Sequence, residues 1–145
     1  MRYAIIYWSR YGHNKKIAET LSTKLNSEGI KSEIYETDEV EPTQMPNADL
    51  YVFSAPAEAF NVQRNMRSVM KNIKNMDGKK YAIINTHCMK NKDWLGKMEK
   101  ILSKKKKMEK IASVEFHIGK EGQNTGEGLQ TGWEEKLDNF VKEIK

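Results

Sequence analysis

A short polar segment, Ser9-Arg10-Tyr11-Gly12-His13-Asn14, follows the first apolar run of the chain and precedes a helical pattern. Hydroxyl, imidazole and amide groups at a strand-to-helix turn suit a bound phosphate, because backbone N–H groups and the helix dipole face the anion. Gly12 lets the backbone curl closely around such a group. The same composition also fits an ordinary loop in which Ser9 or Asn14 caps the helix. The segment, which we call the 9–14 loop, therefore indicates a phosphate site, with a simple helix cap as the alternative.

Other motifs for phosphate binding or nucleophilic chemistry are missing. The chain has neither Gly-x-Gly-x-x-Gly nor Gly-x4-Gly-Lys-Ser/Thr, which excludes a dinucleotide fingerprint and a P-loop. The first apolar run ends in Trp8-Ser9 without an aspartate, which argues against a phospho-accepting receiver domain, and Cys88 is followed at the sixth position by Trp94 instead of the arginine of a phosphatase loop. No catalytic residue is assigned. No metal site is predicted either, since metal-ligand spacing is absent among His13, His87, Cys88 and His117.

The elements that would position these groups alternate along the chain. Five apolar runs bounded by turn residues predict short strands at 3–8, 32–35, 50–54, 81–85 and 114–118. Three of them are continuously apolar, as expected for strands buried on both faces, whereas Ser32-Glu33-Ile34-Tyr35-Glu36 alternates and is typical of an edge strand.

Helical spacing of apolar residues lies between these strands and after the last one. The segment at 41–46 is either an irregular crossover or a weak helix. Strict alternation with right-handed crossovers predicts an α/β sandwich, with a parallel sheet, helices on both faces and a ligand crevice at the carboxyl ends of the strands.

Length and composition limit the function classes. The 145 residues, 38% of them hydrophobic, suffice for one domain spanning 1–145. The single cysteine and the lack of an apolar leader or of an apolar run of about 18 residues lead us to expect a cytoplasmic protein without a membrane span. The net charge of +5 permits anionic partners without requiring them. The lysine run at 104–107 fits either a solvated helix end or a patch that binds an acidic partner or nucleic acid. We do not expect nucleic acid as a partner.

Two segments together resemble a known family. Tyr7-Trp8-Ser9-Arg10-Tyr11-Gly12-His13-Asn14 resembles the FMN-phosphate loop of the flavodoxin superfamily, and is especially similar to the Ser-x-Tyr-Gly-His form of its NAD(P)H:quinone oxidoreductases. Phe53-Ser54-Ala55-Pro56-Ala57-Glu58-Ala59-Phe60-Asn61 resembles their flavin loop after the third strand. The resemblance implies a flavodoxin-like three-layer sandwich whose five-stranded parallel sheet has the order 2-1-3-4-5.

The resemblance also implies FMN as the cofactor, with its phosphate at the 9–14 loop and its ring between the loops after the third and fourth strands. Tyr11 and Phe60 offer flat contacts for the ring, and Asn61 and Thr86 offer hydrogen bonds. Phe60 equally fits a core position, and Thr86 equally fits a simple strand end. The predicted cofactor residues are Ser9, Arg10, Tyr11, Gly12, His13, Asn14, Ala55, Pro56, Ala57, Glu58, Ala59, Phe60, Asn61, Asn85, Thr86, His87 and Cys88.

The sequence departs from the family at two places. The loop after the fourth predicted strand has no glycine before Gly96, so ring contacts would come from backbone, His87, Cys88 or Trp94, although Trp94 also fits an apolar helix anchor. No glycine lies between Ala55 and Asn61, where flavodoxins often flip a peptide to stabilise the semiquinone. We therefore do not expect strong semiquinone stabilisation.

These observations predict an FMN-binding electron carrier, monomeric or weakly dimeric, that exchanges electrons with a reductase and an acceptor protein. One alternative is an NAD(P)H-dependent flavin or quinone oxidoreductase. The other is a flavin-free interaction module that docks through the lysine run. A glycine-rich segment at 119–128 fits either a loop that closes over a ligand or receives a partner, or a solvated connector.

Overall fold

The fold is built on one twisted parallel sheet. The computed structural model describes residues 1–58, 61–88, 93–119 and 127–145. Five parallel strands lie in the order β2-β1-β3-β5-β6, and a two-residue strand, β4, pairs antiparallel with the end of β3. The strands are β1 (Arg2–Tyr7), β2 (Lys31–Glu36), β3 (Leu50–Glu58), β4 (Asn61–Val62), β5 (Lys80–His87) and β6 (Glu109–His117).

The predicted sheet is confirmed, since the five predicted strands are the five parallel strands and keep the order 2-1-3-4-5 once β4 is left out of the count. Four strands, β2, β3, β5 and β6, are longer than predicted, and the difference is largest for β3 and β6. β3 continues past Ser54 to Glu58, and β6 begins at Glu109, well before residue 114. β2 lies at one edge of the sheet, as its alternating sequence predicts.

Within the described parts of the chain, four helices cover the sheet: α1 (His13–Ser27), α2 (Arg64–Asn72), α3 (Trp94–Glu99) and α4 (Trp133–Ile144). A π-helical segment, Lys100–Lys105, continues α3. The segment between β2 and β3 contains two short 3-10 turns in place of a helix, one of them opened by Pro42, so the crossover interpretation is correct. After α1, Gly29 has a φ of 81°, the left-handed conformation that ends helices. Among the described residues, no helix is both long and apolar enough to cross a lipid bilayer.

The core lies on both faces of the sheet. Successive residues of β1 enter opposite clusters: Ile5 packs with Leu21 of α1 and Phe140 of α4, whereas Ile6 packs with Met66 of α2 on the other face. Each such side chain contributes about 1.5–3 kcal/mol when it is fully buried. Because the central strands are fixed on both faces, their carboxyl ends form a rigid edge that positions the loops described next.

Candidate functional site

The 9–14 loop turns sharply between β1 and α1. Gly12 has a φ of 94° and precedes the first helical residue, His13. Its N–H donates a hydrogen bond to Ser9 Oγ at 3.0 Å. The N-cap residue is Gly12, and no side chain of the described residues caps the helix, so the interpretation of Ser9 or Asn14 as an ordinary cap is wrong. The first turn of α1 thus presents backbone N–H groups and the positive end of its dipole beside the loop, an arrangement suited to an anion.

Asn14 joins three elements through its buried side chain. Its Nδ2 donates to Thr86 Oγ1 at 2.8 Å, and its Oδ1 accepts from Ser54 Oγ at 3.0 Å. Asn14 is 1% exposed, so both hydrogen bonds are shielded from water. Thr86 therefore does more than end its strand, since it helps hold α1 against β3 and β5.

A cavity of about 450 Å³ opens at the carboxyl edge of the sheet, between the ends of β1, β3 and β5. It is the space in which most of the predicted cofactor residues meet. Its lining residues are Ser9, Arg10, Tyr11, His13, Asn14, Pro56, Ala57, Glu58, Thr86, His87, Cys88 and Ile118.

Some predicted residues lie outside that lining. Gly12 shapes the loop without lining the cavity, and Ala55 is buried beneath it. Asn85 is also buried and donates to the carbonyl of Ala55 at 2.9 Å, while Asn61 Oδ1 accepts from the N–H of Val62. Two further predictions, Ala59 and Phe60, lie outside the described residues.

One lining residue, Ile118, was not among the predicted site residues and directly follows β6. Its signal was its place at the end of the last predicted strand, where the chain reaches the same edge. Beyond it, Gly119 N–H donates to the carbonyl of Gly128, and His13 contacts the carbonyl of Glu127. The two ends of the 119–128 segment are therefore fixed beside the cavity, and its residues 120–126 lie outside the described residues.

Trp94, considered above as a ring contact, is 2% exposed and does not line the cavity. It opens α3, with the ammonium group of Lys97 5.1 Å from the centre of its ring. The structure favours the apolar-anchor interpretation.

An ion pair connects the two loops at the mouth of the cavity. Arg10 donates from Nε and Nη2 to the two carboxylate oxygens of Glu58 at 2.7 and 3.1 Å. The hydrogen bonds to Glu58 raise the pKa of Arg10, which stays charged. The guanidinium carbon also lies 5.1 Å from the centre of the Trp8 ring, in cation–π geometry. Because this pair is exposed to solvent, it orients the two loops more than it stabilises the fold.

Tyr11 contributes an aromatic surface to the cavity. It is 41% exposed, unusual for so large a side chain in this molecule, and it belongs to the lining. An accessible aromatic ring beside a turn whose geometry suits an anion is compatible with a ligand that combines a planar ring with a phosphate.

His87 forms part of the opposite wall of the cavity. It is 6% exposed, and neither ring nitrogen has a hydrogen-bond partner among the residues that the structure describes. Its Nε2 lies 3.4 Å from Glu115 Oε2, close enough for an ion pair once the imidazole is protonated. Burial lowers the pKa of His87 from its ordinary value of 6.5, and Glu115 opposes that shift.

The sequence of this chain matches no protein-family model and no curated protein. The fold, however, is similar to that of solved structures. A flavodoxin of Streptococcus pneumoniae TIGR4 superposes with a TM-score of 0.79 at 15% identity, covering 99% of this chain and 97% of that one. A short-chain flavodoxin associated with a PDU bacterial microcompartment gives 0.79 at 14% identity, covering 99% and 96%.

A longer protein shares the fold over part of its length. The rubredoxin oxygen:oxidoreductase of Desulfovibrio gigas gives a TM-score of 0.77 at 12% identity, covering 99% of this chain and 35% of that one. Taken with the strand order and with the cavity at the carboxyl edge of the sheet, these similarities lead to one conclusion: the chain has the flavodoxin-like fold.

Proposed function

We propose that this chain binds FMN and carries electrons between a reductase and an acceptor protein. One observation carries the proposal: the cavity at the carboxyl edge is lined jointly by the start of α1, the aromatic ring of Tyr11 and the ends of β3 and β5. Those are the features that a flat ring bearing a phosphate requires. The structural similarity to flavodoxins supports the same cofactor.

The phosphate is assigned to the 9–14 loop. The left-handed turn at Gly12 shapes the loop, and the first turn of α1 offers N–H donors and a favourable dipole. The side chain of Asn14 is already engaged with Ser54 and Thr86, so in this proposal Asn14 contributes its backbone and its rigidity.

The ring is assigned to the space between Tyr11 and the residues after β3 and β5. Tyr11 supplies a flat contact, and the unpartnered nitrogens of His87 supply polar groups that a ligand can satisfy. Bound FMN would supply the electron chemistry, as flavins do in proteins generally. The side chains bind and orient the cofactor, exclude water and set the local charge, and no general acid or base is needed.

The first test compares two flavins that differ only in the phosphate. FMN should bind the apoprotein at least 100-fold more tightly than riboflavin, with both affinities measured by the quenching of flavin fluorescence. The reason is that several hydrogen bonds to the charged phosphate, each worth roughly 1.5–3 kcal/mol, would be lost. Equal affinity for the two flavins would contradict the assignment of the 9–14 loop.

The second test separates a carrier from a reductase. FMN-loaded protein should accept electrons from dithionite and should oxidise NADH or NADPH at less than about 1 s⁻¹, below the ordinary range of enzymes. Faster steady turnover would favour the oxidoreductase alternative, and a protein that binds no flavin would favour an interaction module.

A further inference from the structure

The buried imidazole of His87 is the least satisfied polar group in the cavity wall. Both of its nitrogens lie out of contact with water. Nδ1 has no hydrogen-bond partner among the described residues, and Nε2 lies 3.4 Å from the carboxylate of Glu115, too far for a strong hydrogen bond. A buried polar group left unpaired costs about 1–3 kcal/mol, so the retention of this imidazole calls for a physical explanation. Its aromatic neighbour among the described residues, His117, meets it edge to face with the ring centres 5.8 Å apart and leaves Nδ1 unpaired.

The groups around His87 disfavour its protonation on balance, although one of them favours it. Burial and the nearby His117 and Lys136 disfavour the imidazolium, whereas the carboxylate of Glu115 favours it. Glu115 Oε2 lies 3.4 Å from Nε2, and its side chain is 46% exposed, which gives protons a path from solvent. Across the cavity, Arg10 and Glu58 neutralise each other in their ion pair. A modest gain of negative charge in the cavity would therefore tip the balance toward protonation.

We propose that His87 takes up a proton when the flavin in this cavity gains negative charge, an inference that rests on the proposed function. The balance is simple. An external donor such as dithionite is oxidised and the flavin is reduced. One proton moves from water to the imidazole, where an N–H bond forms, and Glu115 pairs with the resulting imidazolium. The flavin would take its own proton separately, since two electrons from dithionite and one proton from water leave one net negative charge on the ring.

The direct test follows the imidazole itself by NMR in protein with isotope-labelled histidine. The His87 resonances, assigned with a His87→Gln variant, are titrated in the apoprotein, with oxidised FMN and with FMN reduced by dithionite. We expect the proton affinity of His87 to rise at least tenfold, one pH unit, between the oxidised and reduced samples. FMN binding is measured on the same samples by fluorescence quenching.

The outcomes are distinct. Protein that fails to bind FMN overturns the proposed function together with this inference. Protein that binds FMN but shows the same His87 titration in both redox states overturns the inference alone.

The neighbouring residues provide matched variants with opposite signs. Glu115→Gln should lower the proton affinity of His87 and His117→Gln should raise it, because the carboxylate favours the imidazolium and His117 disfavours it. The midpoint potential of the bound flavin should depend more strongly on pH in the wild type than in His87→Gln. In a one-electron step, the uptake of one proton changes the midpoint potential by at most about 59 mV per pH unit. Identical pH profiles in the wild type and in His87→Gln would contradict the proposal.

Discussion

At the residue scale, Gly12 is the site position whose backbone conformation most restricts which residue can occupy it. Its φ of 94° lies in the region that β-branched residues avoid, so a valine there would distort the turn that leads into α1. We expect Gly12→Val to weaken FMN binding at least tenfold while the circular dichroism spectrum keeps its native shape. Fluorescence titration and thermal melting on the same sample measure the two effects together.

A second glycine provides the matched control. Gly29 has a φ of 81° with open space around its Cβ position, and it lies at the other end of α1 from the loop. Gly29→Val should cost similar backbone strain, about 1–2 kcal/mol, and leave FMN affinity unchanged. Equal FMN affinity in the wild type and in Gly12→Val would show that the phosphate binds elsewhere.

At the element scale, the attachment of α1 to the sheet depends on one buried amide. Replacing Asn14 by alanine removes its hydrogen bonds to Ser54 and Thr86 and leaves both hydroxyls buried without that partner. We expect Asn14→Ala to lower the free energy of unfolding of the apoprotein by about 2–4 kcal/mol, measured by urea denaturation.

Asn72 serves as the control for that change, because its amide is exposed and bonds only to Ser68 within α2. Asn72→Ala should change the free energy of unfolding by less than about 0.5 kcal/mol. If the two variants are destabilised equally, the hydrogen bonds of Asn14 do not anchor the helix.

The elements that could best be predicted from the sequence are those at the centre of the sheet. Elements covered on both faces carry an unambiguous apolar pattern, so the central strands and the strand order were predicted correctly. Elements at the edge of the sheet carry a less distinct apolar pattern. The first half of β6 was missed because an edge strand exposes alternate residues, and its segment at 109–113 reads as polar.

The extension of β3 was missed for a different reason, since Pro56 looks like a strand end. β1 pairs with β3 only as far as Ser54, but β5 continues to pair with β3 through Pro56, which lies opposite Thr86. The carbonyl of Pro56 also accepts a hydrogen bond from the N–H of Gln63.

The candidate site was predictable to the extent that it follows strand ends. Every predicted strand points its carboxyl end at one edge, so the loops that meet there can be read from the sequence. Which of these side chains are already hydrogen-bonded cannot be read from the sequence. Nothing in the sequence distinguishes Asn14, whose amide is hydrogen-bonded, from His87, whose Nδ1 has no partner among the described residues. That distinction depends on the register between strands, in which His87 lies beside His117 and one pair beyond Thr86 and Phe116.

At the scale of the whole molecule, charge is distributed unevenly. Residues 71–110 include thirteen lysines and four acidic residues, a formal charge of +9, whereas the other 105 residues carry −4. The lysine run at 104–107 lies just before β6, and the carbonyl of Lys107 accepts from the N–H of Gly78 just before β5. Both segments precede parallel strands, so the lysine run at 104–107 lies at the amino edge of the sheet, opposite the cavity.

That separation yields the last prediction. The eight residues of β5 span about 25 Å, several times the Debye length of about 8 Å at physiological salt. Replacing Lys104, Lys105, Lys106 and Lys107 by glutamine should therefore change FMN affinity less than twofold, although it should make the protein elute markedly earlier from a cation exchanger. Arg10→Gln, a single charge change at the cavity mouth, is the control that should alter FMN affinity more than all four lysines together. A large loss of FMN affinity in the quadruple variant would mean that the flavin lies near the lysine run, and the assignment of the cofactor to the carboxyl edge would fail.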